Sequence, residues 1–68
     1  MSLIAKNINR IIREKGLKQK YVAEKVGVTE STFSNYLAER SGIKADMVPD
    51  FCRALEVEPN ELYKQLNE

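Results

Sequence analysis

The chain contains no histidine and a single cysteine, Cys52. Without histidine there is no Cys/His metal cluster and no Cys–His or Ser–His pair for nucleophilic catalysis. One cysteine closes no intrachain disulfide. A domain of 68 residues must then hold together by packing, although a chain this short buries only about 60% of its unfolded surface. No apolar run approaches the ~18 residues of a membrane span, and no signal peptide is recognisable. These absences point to a reducing compartment and a cytoplasmic protein. Internal repeats and low-complexity stretches are also missing. The carboxylates are scattered among lysines and arginines, as on a solvated helical surface. No enzyme activity, metal site, cofactor or small-molecule substrate is expected.

A large excess of charge is missing too. The net charge of +1 is low for a nucleic-acid binder, but the distribution is uneven. Residues 1–20 carry Lys6, Arg10, Arg13, Lys15, Lys18 and Lys20 against Glu14 alone, a net +5. Residues 45–68 carry Arg53 and Lys64 against Asp46, Asp50, Glu56, Glu58, Glu61 and Glu68, a net −4. One face of the molecule can therefore be positive. A solvated surface following helix-end charge preferences explains the same asymmetry.

What the chain does have is helical periodicity. Ile4, Ile8, Ile11 and Ile12 fall at i, i+4, i+7 and i+8 and predict a helix over residues 3–15, with Asn7, Arg10 and Arg13 off the apolar stripe. Gly16 ends it, with Lys15 set against the negative C-terminal end. Leu17 is a core residue after the turn. Further on, Pro49 is tolerated only in a first turn and limits a fourth helix to a start near 45 or 46. Val48, Phe51, Cys52 and Leu55 then share a face, with Cys52 packing as a small apolar residue. A last helix opens at Glu58-Pro59-Asn60-Glu61, and Leu62, Tyr63 and Leu66 form its apolar stripe. With Val57, these three either close the core or meet a second copy of the chain.

The central stretch, residues 19–37, holds two short helical patterns around a tight turn. Val22, Ala23 and Val26 mark the first helix, which starts near Lys18 or Gln19. Gly27 suits a left-handed turn, and Val28 tucks under both helices. Thr29 offers an N-cap hydroxyl, and Phe33, Tyr36 and Leu37 mark a second helix over about 30–38. This spacing is that of a helix-turn-helix. Val22, Val26, Val28, Phe33 and Tyr36 make its small core. Glu30, Ser31, Ser34 and Asn35 are left on the outer face of the second helix.

On these residues the chain resembles the Cro/repressor-type helix-turn-helix domains of the XRE family of transcriptional regulators. The matching residues are Leu17 and Gln19, A-E-K-V-G-V-T over 23–29, S-T-F-S over 31–34, G-I-K over 42–44 and C-R-A-L-E-V-E-P-N-E-L over 52–62. The resemblance covers nearly the whole chain. It implies one all-α domain over 1–68, a compact five-helix bundle of the lambda-repressor-like DNA-binding type. It also implies sequence-specific binding of double-stranded DNA, with the second motif helix in the major groove.

Carried over position by position, the resemblance makes Glu30, Ser31, Ser34 and Asn35 the base-facing set, with Asn35 able to pair with adenine through two hydrogen bonds. Lys18, Gln19, Thr29, Arg40 and Lys44 fall at backbone-contact positions. Each of Gln19, Arg40 and Lys44 can also be read as an ordinary exposed residue. Two departures stand out. Lys18 replaces the common capping threonine, and the recognition helix carries no arginine or lysine. A weak homodimer on a two-half-site duplex is expected, formed through Leu62, Tyr63 or Leu66. The alternative is a protein-interaction module, an antitoxin or adaptor, which keeps the fold without reading DNA.

Overall fold

Five α-helices follow one another with short connections in the computed structural model, which describes residues 2–65. α1 is Leu3–Lys15, α2 Gln19–Val26, α3 Glu30–Leu37, α4 Val48–Leu55 and α5 Pro59–Leu62. The expected all-helical class and the order of the five helices are both observed. A 3₁₀ turn, Ala45–Met47, leads into α4. The predicted start near 45 or 46 is thus helical but not α-helical. Pro49 has no N–H to donate to the Ala45 carbonyl. That carbonyl instead accepts from Val48 N–H in the tighter 3₁₀ pattern.

The apolar stripes meet in one core. Ile8, Ile11, Val22, Phe33, Phe51, Leu55 and Leu62 are essentially inaccessible to solvent. Leu17, Val26, Val28, Tyr36 and Leu37 pack against them from the rim. α2 lies against α3 and α4, while α1 lies against α3 and α5. Phe51 of α4 is the centre of an aromatic group. Phe33 meets it at 6.0 Å between ring centroids, and Tyr36 meets it edge-on at 6.1 Å. Such pairs add about 0.5–1.5 kcal/mol each beyond their buried area. Cys52 is buried in the same core, and burial pushes its thiol above its ordinary value. It packs, as expected, as a small apolar residue.

Four helix ends use the same device. Gly16, Gly27, Glu39 and Glu56 all have positive φ, so the chain reverses after each of the first four helices. Two of these positions carry glutamate, which signals no turn in the sequence. Ser2, to which helical periodicity assigns no role, is the N-cap of α1 and accepts from Ala5 N–H.

Three sequence expectations change in the folded chain. Asn7 is fully buried instead of lying off the stripe. Its amide donates to the Leu62 and Lys64 carbonyls, both at 2.9 Å. Lys15 stands in the last turn of α1 as expected, but its reach extends beyond its own helix. Its ammonium reaches the C-terminal end of α4 and donates to the Leu55 carbonyl at 2.8 Å and the Glu56 carbonyl at 3.3 Å. Finally, α5 is a single turn ending at Leu62, so Leu62 and Tyr63 do not share an apolar stripe. Leu62 is fully buried in the chain's own core, whereas Tyr63 is 50% exposed. Burial withdraws Leu62 from any surface where a second copy could dock. Leu66 lies outside the described residues.

Candidate nucleic-acid interface

α2 and α3 are joined by residues 27–29 alone. Gly27 takes φ 95°, a conformation glycine enters without steric cost, and its N–H and that of Val28 both donate to the Ala23 carbonyl. Ala23 is small and buried where the two helices cross. Val28 is half-buried beneath them. Thr29 then starts α3 as its N-cap. Its hydroxyl oxygen accepts from Thr32 N–H at 3.1 Å, and the hydroxyl donates to Thr32 Oγ1 at 2.9 Å. The cap role read from the sequence is therefore in place.

The core side of α3 is fixed by Phe33, with Tyr36 and Leu37 beside it. The expected outer set follows at i, i+1, i+4 and i+5 on one helical face. Glu30 and Ser31 are exposed, and Ser34 and Asn35 are half-buried. Glu30 lies in the first turn, where a carboxylate meets the positive end of the helix favourably. At the other end, Arg40 reaches back from the loop, and its Nη1 donates to Asn35 Oδ1 at 3.2 Å. This contact brings together one residue expected at bases and one expected at phosphates.

The remaining backbone-contact candidates stand on separate elements. Lys18 and Gln19 are exposed at the start of α2, and Lys44 is exposed just before the 3₁₀ turn. Lys18 occupies the N-cap position with an extended backbone, and its side chain makes no capping hydrogen bond. An ammonium has donors only, so it cannot accept from the first-turn N–H groups. No hydrogen bond among the described residues ties Lys18, Gln19 or Lys44 to α3. Their side chains are available to solvent or to a partner.

The basic N-terminal third is less available than its count suggests. Arg10 donates to Glu14, Asn7 and both the carbonyl and carboxylate of Glu61. Its side chain is 14% exposed. Together with Lys15, two of the six cations in residues 1–20 therefore bind the helices to one another. Four sites that hold the frame around α3 have no role in the sequence reading. Asn7 and Arg10 tie α1 to α5. Asn9 donates to the Ala5 carbonyl and, more weakly, to the Leu37 carbonyl at the end of α3. The Glu39 carboxylate accepts from Ser2 N–H. For Asn7 a signal does exist: it is i+3 from Ile4 and i−4 from Ile11, a position on the apolar stripe whatever residue fills it.

Over residues 5–68 the sequence matches a family described as "Helix-turn-helix domain". Two solved structures share the fold. One is the clp gene regulator ClgR from C. glutamicum, with a TM-score of 0.84, 16% identity, and coverage of 91% of this chain and 80% of that one. The other is the restriction-modification controller protein C.AhdI from Aeromonas hydrophila, with a TM-score of 0.79, 22% identity, and coverage of 88% and 91%. At these identities the likeness is one of fold. A search of curated protein sequences gave no match.

Proposed function

The chain belongs to the helix-turn-helix domain family, and on that footing we propose that it is a transcriptional regulator that binds double-stranded DNA sequence-specifically. α3 lies in the major groove. The observation that carries this reading is the outer face of α3. It is polar, it faces away from a core that fixes the helix from the other side, and among the described residues its side chains make a single hydrogen bond beyond the helix, from Arg40 to Asn35.

In this arrangement Glu30, Ser31, Ser34 and Asn35 meet base edges. Lys18, Gln19, Thr29 and Lys44 meet the backbone, which sets register without carrying sequence information. Arg40 stands between the two sets, with its backbone in the loop and its guanidinium at α3. Glu30 can accept from the amino group of cytosine but also approaches phosphates of its own sign. The fold relatives are named as a gene regulator and a controller protein, in keeping with the same role. The chain works in the cytoplasm, and no helix among the described residues is long and apolar enough to cross a membrane.

One short recognition helix meets few base pairs. The working form is therefore a weak homodimer assembled on a pseudo-palindromic site, with half-sites about 34 Å apart. Tyr63 is the exposed aromatic of the C-terminal end available to that contact.

The test is binding to random-sequence duplex across a range of salt. Lys18 and Lys44 neutralise about two phosphates per protomer, so log K falls with log salt at a slope of about −2. A flat salt dependence, or no binding to duplex at all, contradicts the proposal.

A further inference from the structure

α3 carries no cation of its own, yet its ending supplies one. Glu39 has φ 61°, its N–H donates to the Tyr36 carbonyl at 3.1 Å, and Arg40 N–H donates to the Asn35 carbonyl at 2.9 Å. In this helix ending the residue after the left-handed one folds back over the residue five before it. The contact there is commonly apolar. Here it is polar, Arg40 Nη1 to Asn35 Oδ1 at 3.2 Å. A guanidinium has donors and no acceptor. The Asn35 atom facing it is therefore the oxygen, and the Asn35 NH₂ is directed away from Arg40.

From this geometry, and resting on the DNA-binding reading above, we infer that Arg40 and Asn35 form a single reading unit that prefers guanine to adenine. An asparagine acting alone suits adenine, because its oxygen accepts from the N6 amino group while its NH₂ donates to N7. With Oδ1 held by a guanidinium, the positive charge repels the amino hydrogens of adenine. Oδ1 keeps a second lone pair, but under the guanidinium charge the unit presents mainly donors, the Asn35 NH₂ and the remaining Arg40 N–H groups. Guanine answers with two acceptors, N7 and O6. Arg40 is thus a positioning residue for Asn35 as well as a donor. The αL turn at Glu39 is what places a loop arginine beside the recognition face.

The test is selection of bound duplexes from a random pool by the wild-type chain, Arg40→Ala, Asn35→Ala and the double variant, with thermal unfolding of each. Arg40 is exposed, and its backbone bond to Asn35 survives in alanine, so the variants fold. The wild type enriches guanine at one position of each half-site. Arg40→Ala shifts the guanine-to-adenine ratio there toward adenine by about tenfold, the discrimination of one base contact. Asn35→Ala and the double variant lose preference at that position together and keep it elsewhere, as coupled residues do. In the free protein, Arg40→Ala moves the side-chain amide resonances of Asn35. Three results overturn the inference. Adenine at that position in the wild type is one, and unmoved Asn35 resonances are another. The third is an Arg40→Ala variant that binds every duplex more weakly with unchanged preferences. That last result makes Arg40 a phosphate contact and leaves DNA reading intact, whereas a wild type that enriches nothing overturns both.

Discussion

Asn7 is buried without any exposed surface, and every polar atom of its side chain is engaged. Its NH₂ donates to the Leu62 and Lys64 carbonyls, and its Oδ1 accepts from two nitrogens of Arg10. Removing such a side chain leaves carbonyls near the core without donors, at about 1–3 kcal/mol for a fully buried group. Asn7→Ala should lower stability by about 2–3 kcal/mol, read from urea unfolding with the slope unchanged. That is a large fraction of the roughly 3–10 kcal/mol available to a chain of this length. A loss below the error of the measurement would mean that the C-terminal segment is not held by Asn7. Glu56 presents the opposite case. It takes φ 58°, where an L residue is disfavoured by about 1–2 kcal/mol. Glycine relieves this at about 0.5–1 kcal/mol of added unfolded-state freedom. Glu56→Gly is therefore expected to raise stability by about 0.5–1 kcal/mol, seen as a higher urea midpoint, and a lower midpoint would contradict the reading. Glu39 shares the conformation, but its carboxylate also accepts from Ser2 N–H, so the gain there is smaller.

α2 and α3 begin differently, and the difference reaches function. Thr29 caps α3, while Lys18 stands uncapped at the head of α2. Lys18→Thr should add about 0.5–2 kcal/mol of stability by supplying the missing acceptor. The same change removes a cation and should flatten the salt dependence of duplex binding by about one unit of slope. Stability and binding should thus move in opposite directions, and a variant improved in both would show that Lys18 meets no phosphate. Much at this scale is legible in the sequence. Isoleucine spacing marked α1 at its full length, and Gly16, Gly27 and Thr29 marked their turns because glycine and threonine have distinct backbone chemistry. The ends of α3 and α4 were less legible, since glutamate at a left-handed position carries no signal of its own. The Lys15 contact with α4 and the Asn7 contact with the C-terminal segment join residues 40 or more apart in sequence. No local pattern encodes them. In the candidate site, the polar set on α3 was readable from periodicity, but the Arg40–Asn35 contact depends on the backbone at Glu39 and was not.

On the scale of the whole molecule, the buried side chains of the described residues satisfy their own polar atoms, and the apolar stripes close on one another. Leu62 seals the base of the core, which leaves Tyr63 as the described aromatic at that end of the chain. At saturating protein on a duplex with two half-sites, two protomers per duplex are expected, and Tyr63→Ala should weaken the second binding event more than the first. A strictly one-to-one complex would contradict assembly on DNA. The proposal is that the outer face of α3 meets the duplex while α1, α2 and Phe51 of α4 hold the helix from behind. Its most direct test is to follow the backbone amide resonances of the full chain during titration with a duplex recovered from a random pool. The largest shifts are expected at Ser31, Ser34, Asn35 and Arg40, with a second group at Lys18, Gln19 and Lys44 and little change at Asn7 or Ile8. Shifts concentrated at Tyr63 and α5, with α3 silent, would contradict it.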